Sequence, residues 1–409
     1  MSDRLEPPKP KRSREAEAAP TAEIIKKPKG KWQLFGLDVF TIGGIDLIFF
    51  GIVIALLTIG LIMLFSATYP YALYKYGDSY YFIKRQVAFS VGGVVVMLLI
   101  SKLNYRLLLK FKWVIFAVTV GLLGLVLVYH TNVPGGFRRW MQLGPITIQP
   151  SDIAKFCLVL ILADYISKNY KQMHKPIQGI VYPVLITALF AGLVFLEHHN
   201  SGTLLLFTIG AVMMFSGGSN GKLFAIGFAI AIAAIIFIIF NPNVMMEYAG
   251  ERIVAWLDKD YDPLGARWQT NNSLYAIGSG GLWGAGLGNS RQKFLYVSEP
   301  QNDFIFSIVC EELGFIRSSL IIALFGALFV RGIKIATHTG DRFGSFLVIG
   351  IVSQVAIQTI LNILVVTDWF PNTGISLPFF SYGGTAILML LGEMGIVLSV
   401  SRKSNQKKV

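Results

Sequence analysis

Long apolar runs separated by short polar segments dominate the chain after residue 45. One bilayer crossing needs about 20 apolar residues. On that measure ten runs are predicted to cross: 46–69, 84–100, 113–130, 151–167, 178–196, 203–217, 223–240, 304–330, 344–366 and 378–400. One connection stands apart, because residues 241–303 are far longer than any other, and long connections in compact folds are functional or disordered. This one mixes Trp256, Tyr261, Trp268 and Tyr275 with acidic residues and a glycine-rich stretch. It predicts an ordered cap on the outer membrane surface. The expected fold is an all-α polytopic membrane protein, with ten transmembrane helices in 46–400 and a large extracellular loop between helices 7 and 8.

The tails differ from this body. Residues 1–31 hold nine basic and five acidic residues and five prolines, a composition that cannot bury a core and that predicts disorder over 1–45. So much charge before the first apolar run does not fit a cleaved signal peptide, so the first run is predicted to remain as an anchor. Residues 401–409 form a second, short basic tail.

Composition agrees with a membrane body. The chain is 54% hydrophobic and 14% charged, whereas a soluble domain is about 25% charged. A folded sphere cannot hide that much apolar surface, so the surplus faces lipid. A net charge of +13 could indicate nucleic acid, but topology accounts for it. With both termini cytoplasmic, 24 of the 36 Lys and Arg residues fall on inner segments, as the positive-inside rule requires. Nine crossings would leave Arg402, Lys403, Lys407 and Lys408 outside. No nucleic-acid partner is expected. Cys157 and Cys310 both lie in apolar runs and are read as packing residues, not as a disulfide framework.

The candidate chemistry lies in polar clusters on the outer half. Arg138, Arg139 and Trp140 precede Gln149-Pro150-Ser151-Asp152 and Lys155. Pro150 suits a helix's first turn and Ser151 or Asp152 a cap, and Asp152 and Lys155, three apart, share a helical face. A helix N-terminus beside a lysine and arginines is a ready anion site. Lys84-Arg85-Gln86 opens the second run from outside. Asp303 stands where the long loop enters the eighth run, and an ionisable residue at that depth is a functional candidate.

Other polar groups have structural readings. Glycines 278, 280, 281, 284, 286 and 288 let backbone approach a ligand or another segment closely. Glu311 and Glu312, farther in, are expected to tie helices together. Gln354, Gln358 and Asn362 recur every four residues as one stripe, which reads as helix-to-helix hydrogen bonding. The segment from Pro371 to Thr385 is broken by proline and glycine, which membrane depth tolerates only around a cavity or inside protein; its Ser381 is a candidate substrate contact. Adjacent His198 and His199 cannot both face one metal from a helix, so no metal site is expected there.

These residues also carry a family resemblance. Arg139-Trp140, the Gln149–Lys155 cluster, the stretch GGLWGAGLGNSRQKFLYVSEPQNDFIFSIVCEELGF from Gly280 to Phe315, and TGISLPFFSYGGT from Thr373 to Thr385 resemble the SEDS family (shape, elongation, division and sporulation). The likeness is strongest to its FtsW/SpoVE branch and runs from about residue 40 over nearly the whole chain. It implies a ten-helix glycosyltransferase of the bacterial cell membrane that polymerises lipid II into glycan strands during septal or spore wall synthesis. It also implies a class B penicillin-binding transpeptidase and other divisome membrane proteins as partners. The family's essential aspartate falls on Asp303, its fourth-span lysine on Lys155, the acidic residue three before it on Asp152, and the basic residue opening the second span on Arg85.

Three features depart from the family. Asp152 stands where glutamate is usual, which shortens the side chain but keeps the charge. Glu197-His198-His199-Asn200-Ser201-Gly202-Thr203 replaces a Pro-acidic or Pro-His motif, so no function carries over to that loop. Arg317 stands where glycine is usual.

Together these readings predict an inverting transfer. Asp303 takes the proton from the acceptor's 4-hydroxyl, and Lys155, Arg139 and Arg85 stabilise the pyrophosphate leaving group. A divalent cation, Mg or Mn, could share that task, and no organic cofactor is expected. A lipid flippase would need polar gates on both faces, and an inert division scaffold would need no clustered Asp, Lys and Arg.

Overall fold

A computed structural model describes residues 33–34, 37–38, 40, 43–129, 139–143, 146–241 and 247–405. Most of the tail expected over 1–45, Arg138, and residues 406–409 of the C-terminal tail lie outside the described residues. The expected helical body is present. The helices are α1 (Leu47–Tyr76), α2 (Tyr81–Lys102), α3 (Leu107–Val128), α4 (Pro150–Asn169), α5 (Tyr182–Leu196, entered through a π-helical turn at Ile177–Val181), α6 (Asn200–Ser216) and α7 (Gly221–Phe240). They continue with α8 (Glu247–Leu257), α9 (Trp268–Gly280), α10 (Ile305–His338), α11 (Arg342–Val366) and α12 (Gly384–Asn405). Strand β1 (Gln33–Leu34) pairs with β2 (Leu37–Asp38), and β3 (Met141–Leu143) with β4 (Ile146–Ile148), Met141 opposite Ile148.

Among the described residues, seven helical segments are long and apolar enough to cross a membrane: α1, α2, α3, α5 with its π turn, α10, α11 and α12. Helix α4 has the length but carries Asp152, Lys155, Asp164 and Lys168, and α6 has only 17 residues. Most boundaries shift by a few residues from the expected runs, and three of the shifts have a clear cause. Helices α1 and α10 extend well past residues 69 and 330 because polar residues continue the helix beyond the apolar stretch. Residues 378–383 are turn, not helix, because Pro378 and the Gly383-Gly384 pair break the segment there.

The core explains the place of α4. Every residue from Phe156 to Ala163 is buried, since α3, α5, α6 and α11 pack around it. Its charges are met inside the bundle: Asp164 pairs with Lys112 of α3 and, at 2.9 Å, with Lys168.

The end of the bundle opposite the long loop is fastened by ion pairs. Asp46 caps α1 through Phe49 N at 2.9 Å and pairs with Arg331 of α10 at 2.8 Å. Its backbone N–H donates to Ser401 of α12. Asp341 caps α11 and binds Arg106 at 3.0 Å and the Tyr105 hydroxyl at 2.7 Å.

The other end carries the loop, which is ordered where described. Helix α10 breaks at Gly314 (φ 77°, ψ 178°), and the glycine stretch fills the break. Ala285 N and Gly286 N donate to Glu311 O and Glu312 O, while Phe315 N and Ile316 N donate to Gly281 O and Leu282 O, all within 2.9–3.3 Å. Backbone freed by a break inside a membrane must find such partners. The glycines thus serve close approach to another segment.

Candidate functional site

At the long-loop end a cavity of about 290 Å³ opens between α4, α6, α8, the start of α10 and the broken segment before α12. That is near the lower size of small-molecule sites. Four of the residues singled out from the sequence share its wall: Arg139, Asp152, Lys155 and Asp303.

Each is placed by local structure. Pro150 is the first residue of α4, and one turn on Asp152 and Lys155 form an ion pair of 2.8 Å, both side chains mostly buried. Lys155 also reaches Gln358 of α11 at 3.5 Å. Arg139 and Trp140 lead into the β3–β4 hairpin, which is tied to α12 where Thr385 Oγ1 donates to Thr147 O. Asp303 sits just ahead of α10, and the broken segment wraps it. Asn362 Nδ2 donates to both Asp303 O and Ile375 O at 2.7 Å. Tyr382 N donates to Gln301 O at 2.8 Å. Gly374 lies in the left-handed region (φ 71°), and a methyl there would touch Asp303 Oδ2 at 3.9 Å.

The polar stripe of α11 therefore does more than join helices. Gln354 does so, donating to Glu393 of α12. Gln358 and Asn362 instead hold the broken segment at Ser376 and Ile375, and Asn362 anchors the backbone of Asp303.

Ser381 and Arg85 sit beside the cavity, not in its wall. Ser381 Oγ donates to Asn302 O and accepts from Leu377 N, both at 2.7 Å, and the residue lines a recess of about 60 Å³ that adjoins through Asp152 and Lys155. The Arg85 guanidinium is exposed, lies over the Tyr81 ring at 4.2 Å and bonds to Tyr382, which does line the cavity.

Arg252 escaped the sequence reading, which also assigned no role to His199 and Ser201 of the same wall. Arg252 of α8 donates to Asn372 O at 2.9 Å. Its signal was available, as a basic residue in an outer segment against the positive-inside bias. His199 Nδ1 lies 3.1 Å from Ser151 Oγ, while His198 is exposed. The pair of histidines is thus split, and one of them faces the site. Arg317, unexplained by the sequence, is exposed and donates to Trp283 O at 3.1 Å, closing the rim of the α10 break.

Electrostatics favour an anion and a proton acceptor. Burial lifts the Asp303 carboxyl above the ordinary carboxylate range, Arg252 and Arg139 pull it back, and Glu299 adds to the rise. Burial, with Arg139 and Lys155 beside it, lowers the His199 imidazole to about 3. Among the described residues no three His, Cys, Asp or Glu side chains come together as a metal site, and Asp152 is already committed to Lys155. A partly buried carboxyl facing two arginines and a lysine suits proton abstraction next to an anionic leaving group.

Comparison with known proteins gives a consistent answer. The family model of FtsW, RodA and SpoVE, described as cell cycle proteins, matches residues 46–406. The chain is 40% identical over 362 residues to stage V sporulation protein E of Bacillus subtilis, covering 88% of this chain and 97% of that one. It is 34% identical over 383 residues to the "Probable peptidoglycan glycosyltransferase FtsW" of Trichlorobacter lovleyi, covering 93% and 96%. Among solved structures, a chain from work titled "Structural coordination of polymerization and crosslinking by a peptidoglycan synthase complex" superposes with a TM-score of 0.72 at 25% identity, covering 88% of this chain and 99% of that one. The rod shape determining protein RodA of Thermus thermophilus superposes with a TM-score of 0.64 at 25% identity, covering 88% and 97%.

Proposed function

The chain belongs to the FtsW/RodA/SpoVE family, and from that premise we propose that it is a membrane peptidoglycan glycosyltransferase that polymerises lipid II into β-1,4-linked glycan strands. The observation that carries the reading is the placement of Asp303 in one cavity with Lys155, Arg139 and Arg252. The donor's lipid tail stays in the bilayer while its sugar pyrophosphate enters this cavity. Asp303 takes the proton of the acceptor's 4-hydroxyl, the new C–O bond forms at the donor's anomeric carbon, and the bond to pyrophosphate breaks. Lys155, Arg139 and Arg252 stabilise the departing charge. An α donor and a β product imply a single inverting displacement. Asp152 holds Lys155, Arg85 acts through Tyr382, and Ser381 fixes the turn beside Asn302. The clustered cations take a role that a Mg or Mn ion could share.

The same reading extends to topology and partners. All ten long helices cross, with α4 and α6 packed among their neighbours and α7 turning its apolar side chains to lipid, both termini cytoplasmic, and residues 241–303 outside. The synthase complex to which the chain is similar supports a class B penicillin-binding transpeptidase as partner. The relatives' names suit septal or spore wall synthesis, alongside other divisome membrane proteins. A lipid II flippase or an inert division scaffold would not need a proton acceptor set among cations.

The test is polymerisation of purified lipid II by the protein with its transpeptidase. Asp303→Asn should lower turnover by about a hundredfold or more, and robust glycan chains from it would remove Asp303 as the base. The base works only when ionised. Because its carboxyl is lifted above the ordinary range, wild-type turnover should fall on acidification from a higher pH than an ordinary aspartate would give.

A further inference from the structure

The corner where α5 passes into α6 forms a wall of the same cavity that the reaction above leaves unused. His199 is the N-cap of α6, and Thr203 N makes the helix's first bond, to His199 O at 3.0 Å. The N–H groups of Asn200, Ser201 and Gly202 therefore belong to the unpaired first turn. Ser201 is 2% exposed, yet its Oγ has no hydrogen-bond partner and the residue lines the cavity. A buried hydroxyl in that state carries the full cost of its lost water, so this wall is incomplete without a ligand.

The imidazole beside it is held in place. A methyl on Gly202 would come within 2.7 Å of His199 Nδ1, so only glycine lets the ring lie against the helix start. Nδ1 meets Ser151 in the first turn of α4. Two helix N-termini, each a positive end, thus meet beside Arg139 and Lys155.

The charged groups around His199 are Arg139, which precedes the β3–β4 hairpin, the Asp152–Lys155 pair on α4, Arg252 on α8, Asp303 ahead of α10, and Glu197 on its own turn. Burial first, and then Arg139 and Lys155, oppose protonation of the ring. An anion seated between these two cations reverses their field and favours imidazolium.

We infer that His199 and Ser201, with the first turns of α4 and α6, grip the pyrophosphate of the lipid-linked donor, and that His199 takes up a proton as the anion seats. The inference rests on the glycosyltransferase reading for its donor, but its test is binding and needs no turnover.

Binding of undecaprenyl pyrophosphate to the full chain with its transpeptidase, in nanodiscs, is measured between about pH 7.5 and 6. Glu197, lifted to about 8, stays largely protonated across that window, and ionisation of the probe itself is common to all variants. Wild-type affinity should tighten on acidification more steeply than that of His199→Gln, by up to about tenfold per pH unit. His199→Gln should also bind about tenfold more weakly at pH 6, and Ser201→Ala should weaken binding without changing the pH slope. Inorganic pyrophosphate should compete, which separates recognition of the headgroup from recognition of the lipid tail. Equal affinity and equal pH slope in wild type and His199→Gln, with Ser201→Ala also unchanged, would overturn the inference. Polymerisation by the same wild-type sample is followed in parallel. Its absence alongside His199-dependent binding would count against the glycosyltransferase reading and leave this inference standing.

Discussion

Two clusters of buried polar groups at the long-loop end are built in opposite ways. Around the α10 break, acceptors and donors close on each other. Lys293 and Glu312, both fully buried, pair at 2.8 Å, and Glu312 also accepts from Ser66 of α1 at 2.8 and 2.6 Å. Glu311 accepts from Ser290 Oγ and, at 2.8 Å, from Arg291 N. At the α5–α6 corner Glu197 is just as buried, yet neither carboxyl oxygen has a partner, and the same is true of Asn200 Oδ1 and Ser201 Oγ. Most buried polar groups in folded proteins are met. The first cluster is complete without a ligand and acts as a fastener between loop, α1 and α10. In the second, Ser201 stands unpartnered in the cavity wall, as a surface kept for an anion would be. Burial alone does not tell them apart; the state of the hydrogen bonds does.

The largest effect is expected from opening the fastener. Lys293→Met leaves Glu312 buried and uncompensated, a loss of about 3–5 kcal/mol, read as a lowered midpoint of thermal unfolding in detergent. Lys293→Met with Glu312→Gln should recover part of it, because the pair then leaves no orphaned charge. An unchanged midpoint in the single variant would show that the cluster is not closed. Next comes Gly314→Ala. The conformation at Gly314 is essentially glycine-only, with a strain cost of about 1–3 kcal/mol for other residues, and the added methyl would also collide with the backbone of Trp283 and Gly284. A stable Gly314→Ala protein would mean that the loop does not depend on this close backbone pairing.

Much of the fastener was legible in the chain. The glycine density at 278–288 pointed to close backbone approach, and Glu311 and Glu312 read as ties between helices. The start of α4 was also readable, because Pro150, Asp152 and Lys155 act within one turn and local spacing decides their geometry. What stayed hidden depends on distant segments. Lys293 looks like one more loop cation until α1 brings Ser66 to it. The α11 stripe showed one polar face but not its target, which is the broken segment 18 residues on and the backbone of Asp303. His199 was weighed only as half of a metal pair. That argument was sound for two adjacent rings and said nothing about one ring facing α4, 48 residues earlier. The count of crossings was blurred for a related reason: α4 is polar by sequence and central by packing, so apolarity understates its depth.

An effect of similar size, seen only as a dependence on pH, tests the open cluster directly. Burial lifts the Glu197 carboxyl to about 8, with Arg139 opposing the rise. Its pKa in the folded protein thus exceeds that of the unfolded chain, near 4.5. A carboxyl shifted in that direction gives its full stabilisation below the unfolded value and loses it as pH rises through the folded one. Wild-type stability should therefore fall by about 2–3 kcal/mol between roughly pH 5 and 7 from this group, while Glu197→Gln, which cannot ionise, should lack that slope. Adding undecaprenyl pyrophosphate should leave the carboxyl protonated and the slope in place, because an anion beside Arg139 weakens the cation that, among the described residues, favours the carboxylate. A slope equal in wild type and Glu197→Gln would mean that the corner already holds a partner for Glu197, and the contrast between the two clusters would collapse.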